Sequence, residues 1–382
     1  MRISRKCPVC SSTDYTLVFV NRMALLDKYY LSYDVVLCRQ CRFAFATNIL
    51  DEASIQTYYN ECSKYDVAKS VDSIPIHTRQ SAANCARIIK QHLPTSAKVL
   101  DIGSSIGVLL NELKQLGFQN LRGLDPGPAC REIAKNVFDI DVECGFLSDQ
   151  TDLHNYDLII LANVLEHIPD PACFLGIISS KVKKGTHLFI EVPAGDMFHR
   201  ESTEYMGEFS IEHINYFGKR SLGNLLQRQG FRELQASYAT YGKGITTLDY
   251  LCRFNGVANL DISSDTSLEE SISSYVASHL PTIQKINRIL KELPDRIIVY
   301  GAGSHTVRLL GQSDLRFKKI EMIVDKNPNL IGKKIGHVLI RDMNQLRSDP
   351  DSPVLISSFH YQDEIKMQLI ESGLKNNLIS IY

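Results

Sequence analysis

The chain has 382 residues, and its 42 lysine and arginine side chains nearly balance 43 aspartate and glutamate side chains. This balance argues against a general nucleic-acid surface and against a patch that binds an anionic membrane. No apolar run reaches the roughly 18 residues of a transmembrane helix, and no apolar segment follows the basic start, so neither a membrane span nor a signal peptide is predicted. The length predicts two or three domains, and ten cysteines without an export signal favour a cytoplasmic protein.

Two Cys-x-x-Cys pairs open the chain, one formed by Cys7 and Cys10 and the other by Cys38 and Cys41. Four thiolates complete the tetrahedral shell of zinc and leave no open position for water, so the pattern predicts a structural zinc site. The segment between the pairs alternates in the manner of a zinc ribbon. We expect a zinc-binding domain with a helical extension, including a helix at 55–59, over residues 1–75. The alternative is two unrelated pairs of buried cysteines.

Predicted strands and helices alternate over residues 76–255, after a predicted helix at 77–92. Strands separated by helices form a mainly parallel, doubly wound sheet, whose ligands bind at the carboxyl ends of the strands. This predicts an α/β fold in which Gly103, Asp125, Asn163 and Pro193 surround one crevice. The four strands that carry this prediction are 99–102, 120–124, 158–162 and 187–192.

The loop after the first of these strands favours one cofactor. Gly103 allows a tight turn and close approach of a ligand, Gly107 allows close packing at the helix start, and Asp125 stands where an acid binds ribose hydroxyls. The spacing, which begins at Asp101, is Asp-x-Gly-x-x-x-Gly, whereas a dinucleotide needs Gly-x-Gly-x-x-Gly against its pyrophosphate. S-adenosylmethionine (SAM) has no phosphate, so the pattern favours SAM over NAD.

Two further side chains are candidates for the same cofactor. Asn163 follows the third strand, and we assign it to the methionine end of SAM. Phe146 is assigned to the adenine ring, and ordinary core packing is the alternative.

A second α/β unit is predicted at 296–382, after a polar connector at 256–295. Its first strand leads into the turn Gly301-Ala-Gly-Ser-His305, and its second strand ends at Asp325. Backbone N–H groups at a helix start favour an anion, so this turn can bind phosphate. The alternative is a Rossmann-like domain that only packs.

Taken together, these features resemble the sugar C-methyltransferases that act on nucleotide-linked keto-deoxysugars. The resemblance implies an amino-terminal zinc-binding domain, a class I SAM-dependent core and a carboxyl-terminal Rossmann-like domain. It also implies a nucleotide-sugar substrate, with SAM and structural zinc as bound groups. The matching segments are the four cysteines, 99–107, 123–126, 163–168, 191–193, 212–213 with 216–217, and 325–328.

The resemblance also implies the catalytic residues. A ketone acidifies the neighbouring C–H, and a histidine suits removal of that proton because its pKa lies near neutrality. His213 corresponds to the family's base, with Glu212 beside it to orient the imidazole or contact the sugar, and Tyr65 matches a family tyrosine. His167 lies at the cofactor edge and is expected to be structural or to face the cofactor.

The sequence departs from the family at two positions on the substrate side. Ser210 replaces a tyrosine and keeps a hydroxyl without its reach. Lys243 lies where the family tends to have an arginine-containing segment, and it either faces phosphate or is a solvated loop lysine. The nucleotide end is expected at Gly301, Gly303, Ser304 and His305.

The sequence therefore predicts a SAM-dependent C-methyltransferase for a nucleotide-linked keto-sugar. One alternative is an O-methyltransferase for a sugar or another small molecule, and a second is a non-catalytic scaffold built from the zinc and Rossmann surfaces. RNA methylation is disfavoured by the near-neutral charge and the lack of a basic-aromatic stripe. Both a monomer and a homodimer are compatible with the sequence.

Overall fold

A computed structural model describes residues 2–27, 29, 31–51, 54, 74–200, 204–242 and 244–382. Three sequence predictions lie outside the described residues, namely the helix at 55–59, Tyr65 and Lys243. In the described part of the chain, no helix combines the length and apolar character that crossing a membrane would require.

The amino-terminal part is built from short antiparallel strands. One pair joins the first and fifth strands, and a separate sheet contains the second, third and fourth. One cysteine pair precedes β2, and the other lies at the turn between β3 and β4, since Cys38 ends β3. The five strands are β1 (Arg2–Ile3), β2 (Tyr15–Asn21), β3 (Tyr33–Cys38), β4 (Ala44–Thr47) and β5 (Ile49–Leu50).

The central part is a seven-stranded sheet with the order β12-β13-β10-β9-β6-β7-β8. Five neighbouring strands are parallel, and β13 runs antiparallel to both β10 and β12. This mixed sheet confirms the predicted doubly wound class I fold. Its strands are β6 (Lys98–Ile102), β7 (Asn120–Asp125), β8 (Val142–Cys144), β9 (Leu158–Ala162), β10 (His187–Pro193), β12 (Phe231–Tyr241) and β13 (Ile245–Phe254).

The first helix of the central part precedes the sheet, and the helices that follow lie between its strands in the sequence, as crossovers require. Pro171 begins one of them, and the side chain of Asp170 caps it by accepting the N–H of Cys173. The helices are α1 (Ile76–His92), α2 (Val108–Gln115), α3 (Pro128–Ile133), α4 (Pro171–Lys181) and α5 (Lys219–Arg228).

One short strand from the central part of the sequence belongs to the amino-terminal sheet. This strand, β11 (Asn215–Tyr216), pairs antiparallel with β4 and becomes the edge of the amino-terminal sheet. The chain just before β11, which carries Ser210, Glu212 and His213, is therefore held between the two parts.

The predicted polar connector is mostly a 27-residue helix, α6 (Thr266–Glu292). Asp265 caps it by accepting the N–H of Leu268, and Pro281 lies inside it. Its apolar side chains Leu268, Ile272 and Tyr275 lie in the main core. Because these residues lie about one helical turn apart, the serines of the opposite face gave the segment its polar appearance.

The carboxyl-terminal part is a six-stranded sheet with the order β16-β17-β15-β14-β18-β19, parallel except for the pair β16 and β17. It agrees with the predicted second α/β unit. Its elements are β14 (Arg296–Tyr300), α7 (Ser304–Gln312), β15 (Lys319–Asp325), β16 (Lys334–Ile335), β17 (Val338–Asp342), β18 (Val354–Ile356), α8 (Gln362–Glu371) and β19 (Leu378–Ser380).

Candidate active site

The turn after β6 has the geometry that the glycine pattern predicts. Gly103 has a φ of 77°, and its N–H donates to the carbonyl of Leu124, 2.7 Å away. A Cβ at position 103 would lie 2.6 Å from the Cγ2 atom of Val164, so a side chain is excluded there. Gly107 has a φ of 82° and precedes α2. Both glycines therefore allow a compact turn at the carboxyl ends of the strands.

Asp125 lies beside this turn at the end of β7. One of its carboxylate oxygens accepts the N–H of Ser105 and the other accepts the N–H of Gly127, each at 2.8 Å. A carboxylate has about four lone-pair sites, so each oxygen can accept a further hydrogen bond. The side chain is thus oriented by the backbone and keeps the capacity to bind a pair of ribose hydroxyls.

Asp101 places a buried carboxyl group near the end of β6. It is 2 % exposed, and its Oδ1 atom has no hydrogen-bond partner among the described residues. Burial, together with the charges of Asp125 and Glu191, raises its pKa well above the usual range. A buried carboxylate oxygen without a partner is costly, and a bound cation would relieve that cost. SAM carries a sulfonium and an ammonium group, so these residues fit it.

Asn163 and Phe146 follow two different strands, β9 and β8. Asn163 adopts a φ of 56° after β9, and its side-chain amide donates to Glu191 Oε1 at 3.3 Å. Phe146 is 52 % exposed in the loop after β8. The core-packing alternative for Phe146 is therefore wrong, and its ring is available to a ligand.

Glu191 belongs to a buried cluster behind Asn163. Its carboxylate accepts the Ser81 hydroxyl at 2.6 Å and contacts the Cys85 thiol. Burial first, and then the charge of Glu191, raises the pKa of nearby Asp249 to about 7. Glu191, Asp249 and Cys85 bring three potential metal ligands within 4.8 Å of one another.

Two histidines lie next to each other, one shortly after β9 and the other shortly before β11. The ring centroids of His167 and His213 are 5.0 Å apart, at an interplanar angle of 70°. His167 donates its Nδ1–H to the carbonyl of Glu212 at 3.1 Å, which leaves Nε2 directed to Glu166 Oε1 at 3.8 Å. The structure therefore brings His213 and Glu212 next to His167, which sequence reasoning placed at the cofactor edge.

Glu166 is a member of this cluster that sequence reasoning missed. It is 1 % exposed, and neither carboxylate oxygen has a hydrogen-bond partner among the described residues. Burial raises its pKa to about 8. Glu166, His167 and His213 also have ligand atoms within 4.8 Å of one another, so the cluster has the donor set of a metal site. Its motif was visible in the sequence, but its burial was not.

Ser210 shapes the loop that carries His213. Its Oγ accepts the N–H groups of His213 at 3.1 Å and of Glu212 at 3.3 Å. The N–H of Ile214 in turn donates to the carbonyl of Glu166 at 2.8 Å. The serine hydroxyl thus orders the backbone of the loop. This role could not be predicted from the replacement of the family's tyrosine by Ser210.

The amino-terminal part also positions this loop. Arg5 is buried, and its Nη2 donates to the carbonyl of Pro169 and to Asn215 Oδ1, each at 2.6 Å. Its Nη1 donates to the carbonyls of Ala46 and Ile214. No local motif marks Arg5, because three of these four partners lie more than 160 residues away in the sequence.

The four cysteines converge at one place. The sulfur of Cys7 lies 3.5 Å from that of Cys41, and the sulfur of Cys10 lies 3.4 Å from that of Cys38. All four sulfurs lie within 4.8 Å of one another. Zinc–sulfur bonds of about 2.3 Å give a tetrahedron with sulfur–sulfur edges of about 3.8 Å. The donor set and its spacing therefore fit zinc.

The glycine turn of the carboxyl-terminal part repeats the relationship between Gly103 and Asp125. Gly301 has a φ of 103°, and the Asp325 side chain accepts the N–H of Ala302 at 2.7 Å. A Cβ at Gly303 would have no atom within 4 Å, so the approach to the turn is open there. The ring of His305, the last residue of the predicted nucleotide turn, is buried and both of its nitrogens are hydrogen-bonded.

Comparisons with known proteins define the class of the central part. Residues 76–236 match the family described as "Methyltransferase domain", and residues 293–380 match "C2185-like, N-terminal". Residues 76–236 are thus a methyltransferase domain, and the seven-stranded sheet gives it the class I SAM-dependent fold.

Two curated relatives match a shorter region. The chain is 29 % identical over 100 residues to a ubiquinone biosynthesis O-methyltransferase of Neisseria meningitidis serogroup C (strain 053442). It is 30 % identical over 99 residues to the corresponding enzyme of Yersinia pestis (strain Pestoides F). Each match covers 24 % of this chain, and 42 % and 40 % of the respective relative. The chain thus spans less than half the length of these relatives.

Two solved structures are similar to part of the chain. Magnesium protoporphyrin IX methyltransferase from Synechocystis PCC 6803, with bound SAH, gives a TM-score of 0.42 at 14 % identity and covers 54 % of this chain and 100 % of that one. The 1,6-didemethyltoxoflavin-N1-methyltransferase of Burkholderia thailandensis gives 0.41 at 17 % identity and covers 57 % and 96 %.

Proposed function

We propose that this protein is a SAM-dependent methyltransferase that adds a methyl group to carbon in a nucleotide-linked keto-deoxysugar. The observation that carries the proposal is the position of His213, which lies beside His167 at the carboxyl-terminal edge of a methyltransferase sheet. The resemblance of the whole three-part chain to sugar C-methyltransferases supplies the substrate class.

The cofactor residues follow from the crevice. Asp125 would accept the ribose hydroxyls, while Asp101 would compensate the positive charge of SAM. The turn from Gly103 to Gly107 leaves room for the methionine tail, near Asn163, and Phe146 would cover the adenine ring. When bound, SAM supplies an electrophilic methyl group.

His213 is the proposed base. It removes the proton from the carbon next to the ketone, so that the C–H electron pair enters an enolate. SAM would supply the methyl group for the new C–C bond at the enolate carbon, and its sulfur would keep the electrons of the S–C bond. His213 then releases its proton to solvent and returns to the neutral form.

The remaining substrate residues are assigned around this step. Glu212 would orient His213 or contact the sugar, and Ser210 would order the loop and contact the sugar with its hydroxyl. The catalytic role of Tyr65, which matches a family tyrosine, and the role of Lys243 near phosphate stay predictions, because both residues lie outside the described ranges.

The two flanking parts have separate proposed roles. Cys7, Cys10, Cys38 and Cys41 would bind a structural zinc ion, and the zinc-stabilised sheet would position the loop that carries His213. The turn from Gly301 to Ser304 would hold the nucleotide end through its backbone N–H groups. We assign the reaction to the cytoplasm, without a nucleic-acid or membrane partner.

O-methylation of a sugar or another small molecule is the second candidate function. It is favoured by the names of the curated relatives, although those matches cover only about 100 residues. A hydroxyl acceptor needs no enolate, so the two candidates differ in the proton that must be removed. A non-catalytic scaffold is the third possibility.

Native mass spectrometry of the purified protein tests the proposal in one measurement. The expected spectrum contains one zinc ion per chain, and added SAM shifts the mass by one bound cofactor. Incubation with SAM and a nucleotide-linked keto-deoxysugar should then produce the methylated sugar. A protein that binds zinc but neither SAM nor a nucleotide-sugar would support the scaffold instead.

A further inference from the structure

A continuous chain of hydrogen bonds connects the carboxyl-terminal glycine turn to the root of the loop that carries His213. It begins at the carbonyl of Gly301, which accepts the Thr306 hydroxyl at 2.5 Å. Thr306 Oγ1 lies 2.7 Å from Ser357 Oγ, and Ser357 Oγ lies 2.8 Å from His305 Nδ1.

The chain continues through Tyr382 into the methyltransferase part. His305 Nε2 lies 2.5 Å from the Tyr382 hydroxyl, and that hydroxyl accepts the backbone N–H of Tyr205 at 3.1 Å. Five hydrogen bonds thus join Gly301 to Tyr205, which lies eight residues before His213.

The carbonyl end of this chain fixes the direction of its first three hydrogen bonds. A backbone N–H can only donate and a carbonyl can only accept. Thr306 has one hydroxyl proton and donates it to Gly301, so Ser357 donates to Thr306 and His305 donates its Nδ1–H to Ser357. Tyr382 then donates to the unprotonated Nε2 of His305. This order requires a neutral His305. Burial lowers the pKa of His305 to about 4, which meets that requirement at neutral pH.

A second set of bonds holds the same loop from α7. Arg308 is fully buried and donates to Glu204 Oε1, to the carbonyl of Tyr205 and to the carbonyl of Phe209, at 3.0, 3.2 and 3.0 Å. Arg308 lies one turn after His305 on the helix that the glycine turn begins. A displacement of the start of α7 would therefore move the hydrogen-bond donors of Arg308 at both Tyr205 and Phe209.

We propose that His305 and Tyr382 are positioning residues, which make the placement of the His213 loop depend on occupancy of the Gly301–Ser304 turn by a nucleoside diphosphate. The inference rests on the proposed function, because it takes the nucleotide end of the substrate to bind at this turn. His305 then acts through its bond to Tyr382 and not by touching the substrate. The enzyme would thus align its base best when the nucleotide end is in place.

Amide hydrogen exchange on the full chain tests this coupling, with uridine diphosphate and thymidine diphosphate as separate probes. In the unaltered protein, a binding probe should slow exchange at 301–304 and also at 204–213. In Tyr382→Phe, protection at 301–304 should persist, while the probe-induced slowing at 204–213 should fall roughly fivefold, the factor that loss of one hydrogen bond usually produces. Methyl transfer should show a lower kcat with an unchanged KM for SAM.

Two further variants complete the experiment. Ser357→Ala interrupts the chain at its centre and should behave like Tyr382→Phe, which covers the case in which one of them fails to fold. Tyr361→Phe makes the same chemical change at an exposed position outside the chain and should behave like the unaltered protein.

The outcomes separate the two claims. Equal probe-induced slowing at 204–213 in the unaltered protein and in both chain variants would overturn the coupling while leaving the nucleotide site intact. Absence of protection at 301–304 in the unaltered protein with either probe would overturn the nucleotide site of the proposed function, and the coupling with it.

Discussion

The hydroxyl of Tyr33 donates a hydrogen bond to the carbonyl of Ser210, 2.5 Å away. Tyr33 begins the middle strand of the amino-terminal sheet, whereas Ser210 begins the loop that carries His213 in the methyltransferase domain. Tyr216 adds a bond from its hydroxyl to the carbonyl of His213 at 3.0 Å. The loop that carries the proposed base is therefore held partly by a residue outside the methyltransferase domain.

Replacing the proposed base should separate catalysis from cofactor binding. His213→Asn should lower kcat by roughly 10²- to 10⁴-fold, the usual contribution of a positioned base, whereas the Kd for SAM should not change. Steady-state kinetics and calorimetry measure the two quantities. His154→Asn changes an exposed loop histidine and serves as the control. Turnover that survives in His213→Asn would remove this residue from the mechanism.

Solvent exchange should distinguish carbon from oxygen as the acceptor. In D₂O without SAM, the enzyme should place deuterium on the carbon next to the ketone of a nucleotide-linked keto-deoxysugar, because His213 can act before methyl transfer. NMR of the recovered sugar detects the label. No exchange, combined with methyl transfer to a hydroxyl when SAM is added, would establish O-methylation.

Loss of the four-cysteine site should damage catalysis more than cofactor binding. Cys38→Ser should lower the zinc content and the Tm, since three sulfurs cannot complete the shell. It should also lower kcat while the Kd for SAM stays within about threefold, because the hydrogen bonds of Arg5 and Tyr33 reach the His213 loop and not the cofactor turn. Cys144→Ser, at an exposed cysteine, is the matched control. Full zinc content in Cys38→Ser would contradict the assignment.

Glu166 should make the folded protein less stable as pH rises. Its pKa is raised from 4.5 to about 8, so between these values the folded state binds this proton more tightly than the unfolded chain. The free energy of unfolding should therefore fall across this window, by at most about 1.4 kcal/mol per pH unit from this group.

Denaturant titrations from pH 5 to pH 8 measure this slope. Glu166→Gln cannot ionise, so it should show a smaller decline than the unaltered protein, while the exposed control Glu132→Gln should follow the unaltered protein. Identical slopes in all three proteins would show that Glu166 is not a buried, proton-binding carboxyl group.

Local sequence patterns predicted those parts of the molecule whose backbone geometry depends on residues adjacent in the sequence. The turn at Gly103, the acid at Asp125 and the second glycine turn at Gly301 all lie where strand–turn–helix patterns put them. The cysteine pairs met as their spacing indicated. In each case a few adjacent residues determine the backbone geometry.

Contacts between distant segments could not be predicted in this way. Nothing near Asn215 indicates that it pairs with Phe45 in another sheet, and nothing near Arg5 indicates its bond to Pro169. The serines of α6 hide the apolar face on which Tyr275 lies, so the full length of this helix could not be predicted. The burial of Glu166 likewise depends on packing between segments that are far apart in the sequence.

A calorimetric titration with SAM tests the central claim most directly. The account predicts saturable binding of one SAM per chain, weakened roughly 10- to 100-fold in Asp125→Asn, where the charged acceptor of the ribose hydroxyls is lost. The exposed control Asp139→Asn should bind SAM as the unaltered protein does. No heat of binding at millimolar SAM, or saturable binding of NAD in its place, would contradict the account.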